Sequence, residues 1–131
     1  MSEALVVDSS AIVDLLLGNE LGAAVQRRLA GTVLHAPAHL DAEVLSALGR
    51  LHRAGDLDVD VVQRMLAAQA AAPLKRHPVA DLLAGAWARR HQLRLADALY
   101  VELAAALGLP LITTDRRLQP VALAEVLEPP P

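Results

Sequence analysis

Two short apolar runs in this chain each end in an aspartate. Val6-Val7 leads into Asp8, and Ile112-Thr113-Thr114 leads into Asp115. In a parallel α/β sheet, sites form beyond the carboxyl ends of the strands. Neighbouring strands would therefore bring Asp8 and Asp115 face to face. Each also has a plain structural reading, Asp8 as a helix cap and Asp115 as a turn residue, although Ser9 and Ser10 already offer capping oxygens after Asp8. Asp97 is more informative, because the segment Leu93 to Val101 is apolar nearly all round. An ionised carboxylate buried in such a helix costs several kcal/mol unless something pairs with it. Arg94, one turn earlier, is one available partner, and a metal ion is the other. Glu43 lies at the margin of the stripe formed by Leu40, Val44, Leu48 and Leu51. Taken alone, it reads equally well as a solvated helix residue.

Four carboxylates at one edge would repel one another, and the single lysine, Lys75, cannot neutralise them. An oxygen-rich set without Cys or paired His ligands suits Mg²⁺ or Mn²⁺ rather than zinc. Such an ion polarises a phosphate and generates hydroxide from water near neutral pH. The chemistry implied is phosphodiester hydrolysis.

These side chains need a scaffold. Ala4–Val7 is too short for a helix and reads as a buried strand. A helix follows through Leu17, capped by Ser9 or Ser10 and stopped by Gly18. Further helices are expected over 20–29, 38–53, 58–72, 79–91 and 93–107, and short strands over 33–35, 74–76, 110–113 and 124–127. Strands alternating with helices predict an α/β domain with a small, mostly parallel sheet covered by helices on both faces. One domain is expected over residues 1–128, with 129–131 a flexible proline tail.

Cysteine is absent, which excludes disulfides, thiolate zinc sites and a cysteine nucleophile. Neither a membrane span nor a signal peptide is evident, so a cytoplasmic chain is expected. The net charge of −3 is unusual for a general nucleic-acid binder. However, eleven of the twelve basic residues are arginines, whose planar fork suits phosphate. Trp87 and Tyr100 are the only aromatic rings of the Phe, Tyr and Trp type, so recognition by stacking platforms is not expected.

Four segments together resemble the PIN domain, and within it the VapC-like toxins. They are Val6-Val7-Asp8-Ser9-Ser10-Ala11, Asp41-Ala42-Glu43-Val44-Leu45-Ser46-Ala47-Leu48, Leu95-Ala96-Asp97-Ala98-Leu99-Tyr100-Val101-Glu102-Leu103-Ala104, and Leu111-Ile112-Thr113-Thr114-Asp115-Arg116-Arg117-Leu118. Each is weak singly; the ordered set spans almost the whole chain. The resemblance implies that Asp8, Glu43, Asp97 and Asp115 form the catalytic, metal-binding acidic set, with Thr113 hydrogen-bonding inside the site. Some relatives carry a further acidic or amide residue after the last aspartate. Here Arg116 and Arg117 stand there, which puts a second metal in doubt and offers two cations for phosphate. The resemblance further implies an endoribonuclease using Mg²⁺ or Mn²⁺ and a metal-activated water on an RNA substrate, a homodimer, and a small cognate antitoxin protein whose segment lies in an apolar groove.

Competing readings are a housekeeping PIN-domain RNA-processing nuclease and a catalytically silent binding module. A dehalogenase-type phosphatase would want an aspartate at Ser10, and a phospho-receiver would want a lysine after the late strand. Of the remaining residues, His39 is expected at the surface, Trp87 in packing and Asp14 in solvent. His35, His52, His77 and His91 are scattered and are expected to make no metal-ligand pair. Tyr100 is a candidate for pointing a hydroxyl toward the site.

Overall fold

The computed structural model describes residues 2–131. Its centre is a five-stranded, wholly parallel sheet in the order β3-β2-β1-β4-β5. The strands are β1 (Ala4–Val7), β2 (Val33–Pro37), β3 (Leu74–His77), β4 (Leu111–Thr113) and β5 (Ala124–Val126). The helices are α1 (Ser9–Leu17), α2 (Glu20–Leu29), α3 (Leu40–Arg53), α4 (Val59–Ala71), α5 (Leu83–Ala88) and α6 (Leu95–Leu107). They flank the sheet on both faces, as the alternating pattern predicts. Leu5, Val6, Val7, Leu111 and Ile112 are wholly buried, so the two central strands form the middle of the core. Among the described residues, no helix is long and apolar enough to cross a membrane.

The chain moves outward from β1 to β2 and β3, then returns to the other side of β1 with β4 and β5. That reversal makes a crevice at the carboxyl ends of β1 and β4, where parallel sheets hold ligands. Registry is direct: Val6 pairs with Leu111 and Val7 with Ile112, and the Asp8 amide donates to the Ile112 carbonyl at 3.2 Å.

Several local expectations change. Asp8 itself caps α1, not Ser9 or Ser10, because its carboxylate reaches the Ala11 amide at 3.0 Å. The helix expected from Ala38 starts at Leu40, since the Ala38 amide still donates to the His77 carbonyl at 2.7 Å. The segment expected to be one helix over 79–91 is a 3-10 turn, Ala80–Leu82, followed by the short α5. Leu93 stays outside α6, where Arg94 is the extended N-cap residue. His35 and His77 share a hydrogen bond, with Nδ1 2.9 Å from Nε2, because β2 and β3 are neighbours. Burial lowers the His35 pKa, with His77 and Lys75 adding to the shift.

Several of the arginines are committed to structural tasks. Arg28 binds Glu3 and Glu125, tying α2 to residues beside β1 and within β5. Arg76 binds Asp41, and Arg89 binds Glu102. Helix α1 crosses α2 closely at Gly22, whose amide also donates to the Asn19 cap at 2.7 Å. A Cβ at this position would lie 2.1 Å from the Asp14 carbonyl oxygen, a backbone atom that cannot move alone. Gly22→Ala is therefore expected to destabilise the fold by roughly 1–3 kcal/mol through overpacking. Urea unfolding should show a lower midpoint at an unchanged slope.

Candidate active site

Asp8 is 3% exposed and is satisfied on both oxygens. Its Oδ1 accepts from the Ser10 hydroxyl at 2.7 Å and the Ala11 amide at 3.0 Å. Its Oδ2 accepts from the Thr113 hydroxyl at 2.5 Å. Thr113 Oγ1 in turn accepts from the Asp115 amide at 3.0 Å and lies 3.1 Å from the Ser10 hydroxyl. A small hydroxyl network thus joins the ends of β1 and β4. Burial pushes the Asp8 carboxyl up to about 6, the three hydrogen bonds pull it back, and the nearby Asp97 adds to the rise.

Asp8, Glu43, Asp97 and Asp115 all line one cleft of about 650 Å³. Glu43 comes from the first turn of α3 and Asp97 from the first turn of α6. Tyr100, 1% exposed, donates its hydroxyl to Glu43 Oε1 at 2.5 Å. Burial raises the Tyr100 pKa, and the hydrogen bond to Glu43 raises it further. Asp97 is raised chiefly by burial; Arg94 and Arg117 oppose the shift, while Asp115 and Glu43 add to it. Asp115 is lowered, chiefly by hydrogen bonds from Arg117.

The two cations nearest the acids are arginines. Arg94 Nε lies 3.5 Å from Asp97, and Arg117 holds Asp115 with a closest approach of 2.7 Å. Arg117 is therefore engaged by a carboxylate, and Arg116 is exposed and does not line the cleft. Of the two arginines that the resemblance offers for phosphate, Arg117 thus lines the cleft beside Asp115, with its side chain largely exposed.

Three further residues line the cleft that the chain alone does not single out. His39 is not a free surface residue. Its Nε2 donates to the Ala96 carbonyl at 3.1 Å, its ring packs 4.6 Å from that of Tyr100, and its Nδ1 is buried without a partner. Asp14 accepts from the Thr114 hydroxyl at 2.7 Å and so is not simply solvated. Ser10 joins the network described above. Only Tyr100 carries a usable sequence signal, a polar-tipped ring three residues after Asp97. Trp87 is 58% exposed and not packed in the core; the Arg90 guanidinium sits 4.8 Å from its ring centre.

Whether these residues suit a divalent ion turns on the donor chemistry. All four acids are oxygen donors, and the elevated Asp8 and Asp97 mark a site where negative charge is under-compensated. That is the environment a hard cation relieves. Among the described residues, no three acidic or histidine side chains are gathered closely enough to hold an ion as they stand. Each of the four instead faces a neutral or cationic neighbour: Thr113, Tyr100, Arg94 or Arg117.

The PIN domain family model matches residues 5–123. Over 117 residues the chain is 58% identical to Ribonuclease VapC3 of Mycobacterium tuberculosis (strain ATCC 25618 / H37Rv), covering 88% of this chain and 85% of that protein. Among solved structures, Mycobacterium tuberculosis VapC20, described as a sarcin-ricin loop cleaving toxin, matches with a TM-score of 0.72 at 20% identity, over 95% of this chain and 99% of that one. VapBC2 from Rickettsia felis, solved with a DNA fragment from their promoter, matches with a TM-score of 0.70 at 12% identity, over 95% and 99%. At these identities the two structures bear on the fold alone.

Two measurements follow from the geometry. The Asp8 pKa rises on folding from 3.8 to about 6, so the folded state holds that proton more tightly and loses stability as Asp8 ionises across this window. Asp8→Asn should therefore be more stable than the parent above about pH 6 in metal-free buffer, and the gap in Tm should close as pH falls toward 3.8. Tyr100→Phe keeps the buried ring but removes the donor to Glu43. Urea unfolding is expected to show a loss of roughly 1–2 kcal/mol.

Proposed function

The chain belongs to the PIN domain family, and on that premise we propose that it is a metal-dependent endoribonuclease acting as the toxin of a toxin–antitoxin pair. The observation that carries the reading is the convergence of Asp8, Glu43, Asp97 and Asp115 on one cleft at the sheet's crossover point. The name Ribonuclease VapC3, borne by a relative 58% identical over most of the chain, supports both the activity and the toxin role.

In this reading the four carboxylates hold Mg²⁺ or Mn²⁺. The ion, when bound, supplies Lewis-acid polarisation of the scissile phosphate and eases deprotonation of the attacking water. The protein's own side chains do the positioning. Thr113 and Ser10 hold the two oxygens of Asp8, and Tyr100 holds one oxygen of Glu43. Glu43 Oε2 takes no hydrogen bond among the described residues, which leaves it for ion or water. Arg94 and Arg117 offset part of the acidic charge, so a phosphodiester can approach.

The partners belong to the same proposal. A groove of about 500 Å³ lined by Leu45, Leu66 and Ala70, with Asp41 and Arg76 at its polar side, offers an apolar seat for a segment of a small antitoxin. The exposed Leu83 and Trp87, one turn apart on α5, supply an apolar face for a homodimer. A cytoplasmic setting completes the reading.

The deciding experiment incubates the protein with a mixed pool of structured RNAs and Mg²⁺ or Mn²⁺, beside Asp97→Asn. The expected outcome is cleavage that needs the metal and falls by at least about a hundredfold in the variant, the scale on which removal of one preorganised electrostatic group lowers turnover. Cleavage that persists in a folded Asp97→Asn protein would refute the assignment.

A further inference from the structure

Three arginines line the acidic cleft: Arg50, Arg94 and Arg117. Two are engaged within it, Arg94 by Asp97 at 3.5 Å and Arg117 by Asp115 at 2.7 Å. Arg50 is different. It is exposed, and among the described residues it makes neither an ion pair nor a side-chain hydrogen bond. It stands in α3 seven residues after Glu43, two turns along the same helix face. At 1.5 Å per residue that separates the two by about 10 Å along the helix axis. Ser46 and Ala47 line the cleft between them, so its wall carries no bulky side chain there.

A cleft holding four carboxylates repels a polyanion, and the two engaged arginines offset only part of that charge. An RNA strand held at the acids therefore needs a free cation farther along its path. Stacking on an exposed large ring is not offered there, because Trp87 does not line this cleft, Tyr100 is buried and the His39 ring is packed against Tyr100. A guanidinium fork suits a phosphate oxygen pair. We infer that Arg50 anchors a backbone phosphate of single-stranded RNA away from the scissile one, so that the strand runs along α3 from the acidic set to Arg50. This inference rests on the ribonuclease reading for the identity of the ligand. Phosphate contacts position a strand without reading its sequence. Arg50 should accordingly contribute equally to RNAs of different sequence, and to binding more than to turnover.

The test uses the whole chain with Arg50→Gln and Arg50→Lys. Binding of fluorescein-labelled oligoadenylate and oligouridylate is followed by anisotropy in EDTA, across a range of KCl concentrations. Arg50→Gln is expected to weaken both RNAs by a similar factor of roughly five and to flatten the slope of log affinity against log salt by about 0.7, the value of one phosphate contact on a single strand. Arg50→Lys should recover most of the slope and part of the affinity, since it keeps the charge and loses the fork. In metal-supplemented cleavage, Arg50→Gln should raise KM with kcat within about twofold, the signature of lost uniform binding. Unchanged affinity and slope would overturn the inference. So would a loss confined to one RNA sequence, a fall in kcat alone, or failure of the parent chain to bind either RNA. Salt-dependent binding that requires Arg50, in a protein that cleaves no RNA with any metal, would sustain the anchor and defeat the nuclease reading instead.

Discussion

The structure depends on burying one carboxylate. Asp8 sits at the end of the central strand, almost without solvent, and a bare charge there would cost several kcal/mol. Three short hydrogen bonds, from Ser10, Ala11 and Thr113, offset that cost, and two of them cannot form until neighbouring elements are in place. The Ala11 amide is available only because α1 begins immediately after the strand. The Thr113 hydroxyl is available only because β4 lies beside β1 in the observed register. Fold and site are thus specified by the same contacts. The burial still leaves Asp8 strained electrostatically, with its pKa up at about 6, and that residual cost is the room left for a cation or a proton.

Around this residue the site is assembled from three parts of the fold. The β1–β4 junction contributes backbone hydrogen bonds and wholly buried side chains. Helices α3 and α6 contribute Glu43 and Asp97 from their first turns, joined to one another by the Tyr100 hydroxyl and by His39 on the Ala96 carbonyl. Asp115 follows β4 and is held by the exposed arginine that comes two residues later. Charge balance follows the same order. Asp8 is compensated by hydroxyls and amides, whereas Asp97 and Asp115 are compensated by guanidinium groups that stay in contact with water. Removal of those arginines would leave Asp97 and Asp115 to repel one another without a nearby cation, whereas removal of the inner hydroxyls would leave buried acceptors unpaired.

What the sequence makes legible divides along the same lines. The strand-end aspartates can be read because an apolar run that stops at an acid is local. Asp97 can be read because a carboxylate in an apolar helix is a local anomaly. Glu43 cannot be separated from a solvated glutamate by spacing alone; only the ordered resemblance over the four segments singled it out. Ser10, Asp14 and His39 were passed over because their partners lie 103, 100 and 57 residues away in the chain, on elements whose adjacency no local pattern reveals. The hydrogen bond between His35 and His77 is hidden in the same way, across 42 residues. Trp87 misled through its type. Large rings are usually buried, but α5 is a single short stretch whose inner side is taken by Gly85, pressed close to Glu102, so its outer side carries the tryptophan. The start of α3 shifted by two residues because the Ala38 amide stayed committed to the His77 carbonyl of β3.

The strand order has a consequence for how such a chain is made. Synthesis proceeds from the N-terminus, and domains generally fold as their segments emerge from the ribosome. By the time β3 has emerged, β1, β2 and β3 can already pair, and Asp8 and Glu43 are present. Asp97, Thr113 and Asp115 are not, and the place of β4 beside β1 is open. A nascent chain of that length has half the acidic set and lacks the hydroxyl that steadies Asp8. The cleft is completed only once β4 and Asp115 have also emerged, so a cell making a nuclease of this design is not exposed to it while only the first three strands are out of the ribosome.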